Sequence, residues 1–418
     1  MKPYWLRRPV LGWAAYDWAN STFSLSVVTA FVPILLAEFW SQDVASTVTT
    51  FRLGMANGLA SLIVAVSVPF LGAIADRAGN RKGLLIVLAS LGIVMTGSLY
   101  FVARGQWPIA VACYIMASVG FAGSNSLYDA LLVDVAAPSQ YDRISAYGYS
   151  LGYLGGALLF TLNVVMVANP AAFGFASEVE AIRIAFILVA FWWAVFTVPL
   201  LLWVRENKEQ AADRTIVDTL GELRATVRAI RAHRDLMLFL IAYWLYIDGV
   251  YTIIKMAVDY GLSQGLRMQD LIQAILITNF IGFPAALFFG RIAATIGTKS
   301  ALYIGLTVYV IVTFAAVFVT TAIQFYILAA SIGLVQGGVQ SLSRSFFARF
   351  IPRGQSAEYF GFYNMLGKFS AILGPVMAGL VALIFDSQRL GILSILVLFV
   401  SGFILLSQVQ RPAVRDRA

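Results

Sequence analysis

The chain has 418 residues, of which 60% are hydrophobic and only 12% are charged, and its formal net charge is +8. A water-soluble domain carries about twice that share of charged residues, so the composition excludes an ordinary soluble fold. The apolar residues gather in runs long enough to cross a hydrocarbon core of roughly 30 Å. Isolated strands cannot cross lipid and barrel strands are short and alternating, so these runs predict membrane-spanning helices.

Twelve such runs follow one another along the chain. A segment of mixed character, 205–235, separates the first six from the last six. The predicted spans cover about 10–36, 52–75, 83–103, 108–133, 145–168, 182–204, 236–259, 271–293, 300–320, 322–346, 358–384 and 389–408.

Lys and Arg residues are distributed unevenly between the two sides of these spans. Because basic residues favour cytoplasmic loops, we expect both termini in the cytoplasm and the protein in the plasma (inner) membrane. The basic residues lie at membrane edges, so the net charge does not indicate nucleic-acid binding. The basic side holds Lys2, Arg7, Arg8, Arg77, Arg81, Lys82, Arg143, Arg291, Lys299, Arg344, Arg349, Arg353, Arg411, Arg415 and Arg417, and the other side holds Arg52, Arg104, Arg183, Arg267 and Arg389.

The segment 205–235 contains an amphipathic pattern. Apolar residues recur at helical spacing beside a row of arginines, which predicts a basic helix lying on the inner leaflet, with a solvated linker helix as the alternative. The apolar residues are Ile216, Leu220, Leu223, Val227 and Ile230, and the basic ones are Arg224, Arg228, Arg231 and Arg234.

Residues typical of enzymatic or metal chemistry are sparse. Cys113 lies alone in an apolar run, His233 lies in a polar loop, and no Cys/His cluster has metal-ligand spacing. The stretch GTKS at 297–300 lacks the Gly-Lys pair of a phosphate-binding loop. We therefore expect no cofactor, no metal, no enzymatic activity and no ATP-driven transport.

A short polar gap between the second and third spans carries the most specific motif. The stretch GAIADRAGNRK at 72–82 contains Gly72, Asp76, Arg77, Gly79 and Arg81. Its glycines allow close approach of backbones, and its charges can change partners when two halves of a protein rock. This pattern resembles the loop signature of the major facilitator superfamily, and the whole chain resembles that superfamily.

The two halves of the chain echo each other. NSLYDALLVDVAAP at 125–138 matches QSLSRSFFARFIP at 340–352, which sets Asp129 and Asp134 opposite Arg344 and Arg349. GRIAATIGTK at 290–299 echoes the 72–82 loop, and YDWANSTF around Asp17 matches IDGVYTII around Asp248. Such repeats build two half-bundles around a central site. We expect an all-α membrane protein with twelve helices in two pseudo-symmetric six-helix bundles, 1–204 and 236–418, joined by 205–235.

A closer resemblance rests on YDWANSTFSLSVVTAFVP at 16–33 and on the long stretch from Gly337 to Pro375. Both are similar to the bacterial branch of the vacuolar amino-acid effluxer family linked to autophagy. This resemblance implies a transporter, with amino acids as the substrate class.

Polar residues inside the spans are candidates for substrate binding or proton coupling, because an intramembrane charge is costly and usually functional. Symmetry should bring Asp17 and Asp248 near each other across the central axis. Side-chain amides would suit a zwitterionic or polyhydroxylated solute. The alternative for each residue is a structural hydrogen bond or ion pair. The candidates are Asp17, Asn20, Asn125, Asp248, Lys255, Gln336, Gln340 and Lys368.

A second group of charges and glycines lies at the predicted inner ends of the spans. In the superfamily such groups form a latch between the bundles, and Asp76 should lie against the N-terminus of the eleventh span. The gating candidates are Gly72, Asp76, Arg77, Gly79, Arg81, Asp129, Asp134, Arg344, Arg349 and Glu358.

The favoured interpretation is a secondary active transporter that moves a small polar organic solute by alternating access. Amino acids are favoured, and proton coupling and efflux are hypotheses. The alternatives are a multidrug or metabolite exporter and a non-transporting membrane sensor or scaffold. The expected partners are a small-molecule substrate, protons under the coupling hypothesis, and the lipid bilayer, while the oligomeric state stays open.

Overall fold

The computed structural model describes residues 4–41, 44–206, 219–352 and 354–410. Within these residues, twelve helices are long and apolar enough to cross a membrane, as the sequence predicts. They run Arg8–Trp40, Thr47–Ala78, Arg81–Phe101, Trp107–Val135, Pro138–Ala168, Glu178–Trp203, Arg234–Ser263, Met268–Ile296, Thr298–Ala316, Ala322–Ala348, Ser356–Ile384 and Gln388–Gln408. We call them spans one to twelve.

The spans form the predicted two bundles of six. Spans one to six pack among themselves, as do spans seven to twelve. The halves meet along two seams, where span two packs on span eleven and span five packs on spans eight and ten. Spans one and seven, although they are repeat equivalents, make no extended contact within the described chain.

Span one departs from a regular α-helix. Its backbone is π-helical over Phe23–Phe31 and again over Leu36–Trp40, on either side of a short α-helical stretch that contains Pro33. Proline removes a backbone donor, which favours such a local change of hydrogen bonding. π-Helical turns are frequent at functional sites, and hydropathy does not predict them.

The segment between the bundles contains a helix, Thr219–Ala232, whose apolar face is turned toward the protein. Leu223 and Ile230 are buried, and the helix packs on span two of one half and span seven of the other. Protein therefore covers these two residues of the apolar face, and the position of the helix on the inner leaflet stays a prediction. Arg224, Arg228 and Arg231 are exposed, and Ile216 lies outside the described residues.

Candidate transport pathway and gate

The even number of spans places the start and the end of the described chain on one side of the membrane, here called the termini side. The same side holds the end of span two, the start of span eleven and the end of span ten. Of the basic residues assigned to it, Lys2, Arg353, Arg411, Arg415 and Arg417 lie outside the described residues.

Arg344, near the end of span ten, joins the two halves. It is only 2% exposed, and its Nη1 donates to Asp129 Oδ1 of span four at 2.8 Å. Its Nε and Nη2 donate to the hydroxyl and the carbonyl of Ser145 in span five at 2.9 and 3.0 Å. Asn364 of span eleven also donates to Asp129, at 3.0 Å. A buried charge needs such partners, because removing one leaves an uncompensated ion.

A second carboxylate reaches the same guanidinium. Asp17 Oδ2 lies 3.7 Å from Arg344 Nη2 and accepts a hydrogen bond from the Tyr128 hydroxyl at 2.8 Å. The Asp17 side chain is 14% exposed, whereas that of Arg344 is 2% exposed. Asp129 is similarly exposed, at 11%, but lies 2.8 Å from the guanidinium, so Asp17 makes the longer contact of the two carboxylates that face Arg344.

Aromatic rings enclose the same cation. The guanidinium carbon lies 4.4 Å from the ring centre of Tyr149 and 4.8 Å from that of Trp13. Both rings belong to the first half, and Trp13 stacks on Tyr128 at 4.5 Å. Cation–π contacts of this kind strengthen when water is excluded. Arg344 is thus held inside a cage built by the opposite bundle.

Arg349, one and a half turns further along span ten, makes a separate connection. Its Nη2 donates to Asp142 Oδ2 at 2.8 Å, and Asp142 is 5% exposed at the start of span five. Thr298 and Ser345 also donate to this carboxylate. The Asp142 carboxylate therefore collects donors from spans nine and ten of the other half.

Asp76 lies against the N-terminus of span eleven, as the sequence predicts. Its two carboxylate oxygens accept the backbone N–H groups of Ala357 and Glu358, at 3.1 and 2.9 Å. These N–H groups belong to the first turn of span eleven, where the helix offers no acceptor of its own and its dipole favours a negative charge. Gly72 makes this approach possible, since a Cβ there would overlap the carbonyl oxygen of Ala357.

Arg81 extends this contact. Its Nη1 donates to Asp134 at 2.9 Å and also to the hydroxyl of Ser356, and its Nε lies 3.5 Å from Asp76. Gly79 ends span two in the left-handed region, at φ 55°. Arg77 is half-buried, and Glu358 is 4% exposed.

The expectation that Asp134 faces Arg349 is wrong. Asp134 pairs with Arg81 of its own half, and Arg349 pairs with Asp142. Asp129 and Arg344 are repeat equivalents that meet, which requires them to lie close to the pseudo-two-fold axis. Five residues further on, the helices have turned, and span four is interrupted at Leu131. Asp134 and Arg349, the second pair of equivalent residues, are therefore directed away from the axis.

The amide candidates line the interior in two groups. Asn20 donates to Asn125 at 2.7 Å within the first half. Tyr153 of span five donates to Gln340 of span ten at 3.1 Å, across the two halves, and Gln336 lies beside the same tyrosine. Gln340 is thus part of the bundle seam, whereas Asn20 and Asn125 satisfy each other within one half.

Asp248 is fully buried in the second half. Its Oδ1 accepts the backbone N–H of Gly374 in span eleven at 2.9 Å and the hydroxyl of Thr252 at 3.3 Å. Its Oδ2 is a buried atom without a hydrogen-bond partner in the described structure. Pro375 follows Gly374 within the helix, and a Cβ on Gly374 would overlap Thr252 and Asp248. The carboxylate therefore binds span eleven at its proline.

Asp17 and Asp248 do not come together as symmetry suggested. Asp17 contacts Tyr128 and Arg344, whereas Asp248 contacts Gly374 and Thr252. The described halves are joined on the termini side, where spans four and five meet spans ten and eleven, and spans one and seven lie apart. The two acids consequently occupy separate clusters.

Four residues of this arrangement were missed by the sequence analysis: Asp142, Ser145, Tyr149 and Asn364. Asp142 directly precedes Arg143 at a predicted span edge, and Asn364 is an amide inside an apolar run. The polarity of these two positions could have marked both residues as candidate site residues. Ser145 and Tyr149 carry no such signal, since their importance comes from the side chain that enters from the other half.

This fold, together with the sequence relatives given below, identifies a membrane transporter of the major facilitator superfamily rather than an enzyme. The human organic anion transporter MFSD10 (TETRAN) superposes with a TM-score of 0.72 at 15% identity, covering 97% of this chain and 100% of that one. The proton:xylose symporter XylE gives 0.71 at 15% identity, covering 96% and 94%.

Sequence comparison gives the particular family. The model of the "vacuole effluxer Atg22 like" family matches residues 6–417, so the chain belongs to that family. The uncharacterized MFS-type transporter YxiO of Bacillus subtilis is 34% identical over 97% of this chain and 95% of its own. Autophagy-related protein 22 of Yarrowia lipolytica is 28% identical over 64% of this chain and 51% of its own length.

Proposed function

We propose that this transporter moves small polar organic solutes by alternating access, with amino acids favoured, protons as the coupling ion and efflux as the direction. The observation that carries the proposal is the position of Asp17. It faces the buried cation that joins the halves, at 3.7 Å, yet it is more accessible than that cation. We call the ion-pair group of Arg344, Asp129 and Asp17 the latch. The Asp17 carboxylate therefore belongs both to the latch and to the interior.

Neutralising Asp17 would change the latch directly. Arg344 is balanced by Asp129 and Asp17, so a proton on Asp17, or a substrate ammonium group beside it, removes part of the charge that holds Arg344 in the first half. Buried ion pairs are sensitive to such a loss. Binding in the interior would then favour opening on the termini side, which is the coupling that alternating access requires.

Amino acids suit the side chains that line this path. Asp17 offers a negative charge, and the Asn20–Asn125 pair offers amide donors and acceptors one turn further along. Membership of a family described as vacuole effluxers supports efflux as the direction. The buried polar atoms would favour a solute that can satisfy them over an apolar one.

For the organisation of this cycle, we propose that residues 1–204 and 236–418 are the moving halves and that 205–235 is the linker. The basic residues of the termini side support a cytoplasmic location for both termini in a plasma (inner) membrane. With this orientation the present state, latched on the termini side, is the outward-facing one.

The test is uptake of a labelled amino-acid mixture into proteoliposomes, with and without an imposed pH gradient. Uptake driven by the gradient and suppressed by unlabelled leucine supports the proposal. Competition by a lipophilic cation but not by leucine would favour a multidrug exporter instead. No flux of either class through folded protein would favour a sensor or scaffold.

A further inference from the structure

The side chains that enclose the guanidinium of Arg344 belong to the first half, whereas Arg344 itself belongs to the second. Spans one, four and five supply two carboxylates, three aromatic rings and one serine, and span ten supplies the cation. We call these first-half residues the cation cage: Trp13, Asp17, Tyr128, Asp129, Ser145 and Tyr149. The cage and the charge that it holds therefore lie on the two parts that alternating access would separate.

The cage is assembled by contacts that do not involve Arg344. The indole N–H of Trp13 donates to the backbone carbonyl of Tyr128 at 2.9 Å, and the two rings stack at 4.5 Å. The Tyr128 hydroxyl donates to Asp17 at 2.8 Å. Gly148 of span five leaves space for all three side chains, since a Cβ there would lie within 2.9 Å of an atom of each. The first half therefore orients these groups by itself.

The cage contains two negative charges that only Arg344 balances. Asp17 lies 3.7 Å and Asp129 2.8 Å from the guanidinium, and among the described residues no other Lys or Arg forms an ion pair with either carboxylate. Asn364, which also donates to Asp129, is neutral. The intramembrane lysines belong to the second half, Lys255 to span seven and Lys368 to span eleven. If Arg344 leaves the cage, the two carboxylates need another cation, because a buried charge without a partner is costly.

The acceptors of the cage favour a cation that carries N–H groups. Arg344 donates to Asp129 at 2.8 Å and to the hydroxyl and the carbonyl of Ser145 at 2.9 and 3.0 Å. Its guanidinium carbon lies 4.4 Å from the ring centre of Tyr149 and 4.8 Å from that of Trp13. A guanidinium or a protonated amine can use both the acceptors and the ring faces, whereas a quaternary ammonium can use the ring faces only.

We propose that the cation cage is a substrate subsite that binds a guanidinium or protonated amine group in exchange with Arg344. The inference rests on the proposed solute-transport function and names the group of the solute that the first half recognises. The side chains of Asp17 and Asp129 are 14% and 11% exposed, so a small cation can approach them while Arg344 is in place. The solute and Arg344 compete for the same acceptors, so binding of the solute favours separation of the halves.

The first experiment replaces the Arg344 side chain with a free cation. Arg344→Ala leaves the two carboxylates uncompensated, so methylguanidinium and methylammonium should bind and raise the thermal midpoint of the purified full-length protein. Tetramethylammonium has no N–H group, and methylurea is a neutral molecule close in shape to methylguanidinium, so both should have little effect. The wild type, in which Arg344 fills the cage, should show a smaller shift at the same concentration.

The matched variants are made in the Arg344→Ala background. Asp17→Asn and Asp129→Asn should each weaken methylguanidinium binding about tenfold or more, as loss of a charge-assisted hydrogen bond implies. Asp259→Asn neutralises an exposed carboxylate of span seven and should leave the affinity unchanged. Equal affinity with and without the two cage carboxylates would mean that the cation binds elsewhere, and it would overturn the subsite.

The second experiment tests exchange in protein that retains Arg344. Ser341 is fully buried in span ten, and its carbonyl accepts the Ser145 hydroxyl at 2.7 Å. A cysteine introduced as Ser341→Cys, in a Cys113→Ser background, should react several times faster with a maleimide when methylguanidinium is added, and methylurea should not change the rate. The subsite requires both this acceleration and the rescue of Arg344→Ala. If Arg344→Ala does not fold, the labelling rate alone decides.

The outcomes separate this subsite from the proposed transport of amino acids. Rescue and faster labelling by methylguanidinium, in protein through which no amino acid passes, support the subsite and contradict amino acids as the solute. Amino-acid uptake by protein whose labelling rate is the same with and without every cation leaves transport standing and overturns the subsite.

Discussion

Arg344 and Asp129 occupy equivalent positions in the two sequence repeats, and they bind each other at 2.8 Å across the interface between the halves. Two equivalent positions can touch only close to the pseudo-symmetry axis. The pair therefore lies near that axis on the termini side, and its burial makes it sensitive to any change of charge.

Neutralising Asp129 should open the termini side. In Asp129→Asn, Arg344 keeps Ser145 and the looser Asp17 but loses its shortest ion pair. Breaking a buried pair costs about 3–5 kcal/mol, enough to favour the open state. A cysteine introduced as Ser341→Cys, fully buried in span ten, should react faster with a maleimide in a Cys113→Ser background.

The control for that measurement is Asp259→Asn, which neutralises an exposed carboxylate of span seven. It should leave the labelling rate of the introduced cysteine unchanged. Equal rates in the wild type and in Asp129→Asn would contradict a latch role for the Arg344 pair.

The Arg349–Asp142 pair should contribute independently of Arg344. Arg349→Gln, Asp142→Asn and the double variant form a cycle in which the coupling energy isolates the pair. Charge-assisted hydrogen bonds contribute about 1.5–3 kcal/mol, so we expect a coupling energy in that range. Chemical unfolding in detergent gives the three free-energy changes. If the free-energy changes of the two single variants simply add up in the double variant, Asp142 stabilises the protein through its hydrogen bonds with Thr298 and Ser345 and not through Arg349.

Gly72→Ala should force the seam between spans two and eleven apart. The added Cβ would overlap the carbonyl oxygen of Ala357, a backbone atom that can move only with its helix. The matched control is Gly58→Ala in the same span, where nothing lies within 4 Å of the added atom. Maleimide labelling of the introduced cysteine should rise only in Gly72→Ala, and equal rates in both variants would refute the close-approach role.

Asp17→Asn should separate driven flux from exchange. A neutral amide cannot take up and release protons, so uptake driven by a pH gradient should be lost, while Asp129 still holds Arg344 and allows counterflow exchange. Proteoliposome assays measure both modes. Equal loss of driven flux and exchange would instead assign Asp17 to substrate binding or to folding.

Much of the fold could be predicted from the sequence because it depends on local pattern. Apolar runs of sufficient length gave all twelve spans, and the repeat of 125–138 in 340–352 identified Asp129 and Arg344 as opposed charges. The contact of Asp76 with the start of span eleven was also expected, because a helix N-terminus favours an anion wherever one can approach.

The remaining pairings depend on rotation and tilt of whole helices, which local pattern does not contain. Asp142, and not Asp134, binds Arg349, because the helices have turned away from the axis at that level. Asp248 binds the backbone at Gly374 rather than meeting Asp17, since spans one and seven lie apart.

The sequence by itself determined that the chain is a helical membrane protein with two repeated halves, because hydrophobic length and repeat register are properties of consecutive residues. The tertiary structure decided which charges meet. It placed Asp17 beside Arg344 and covered Leu223 and Ile230 of the linker helix with protein. The physical reason is that burial and ion pairing depend on where two distant helices cross, and only the packed bundle fixes that crossing.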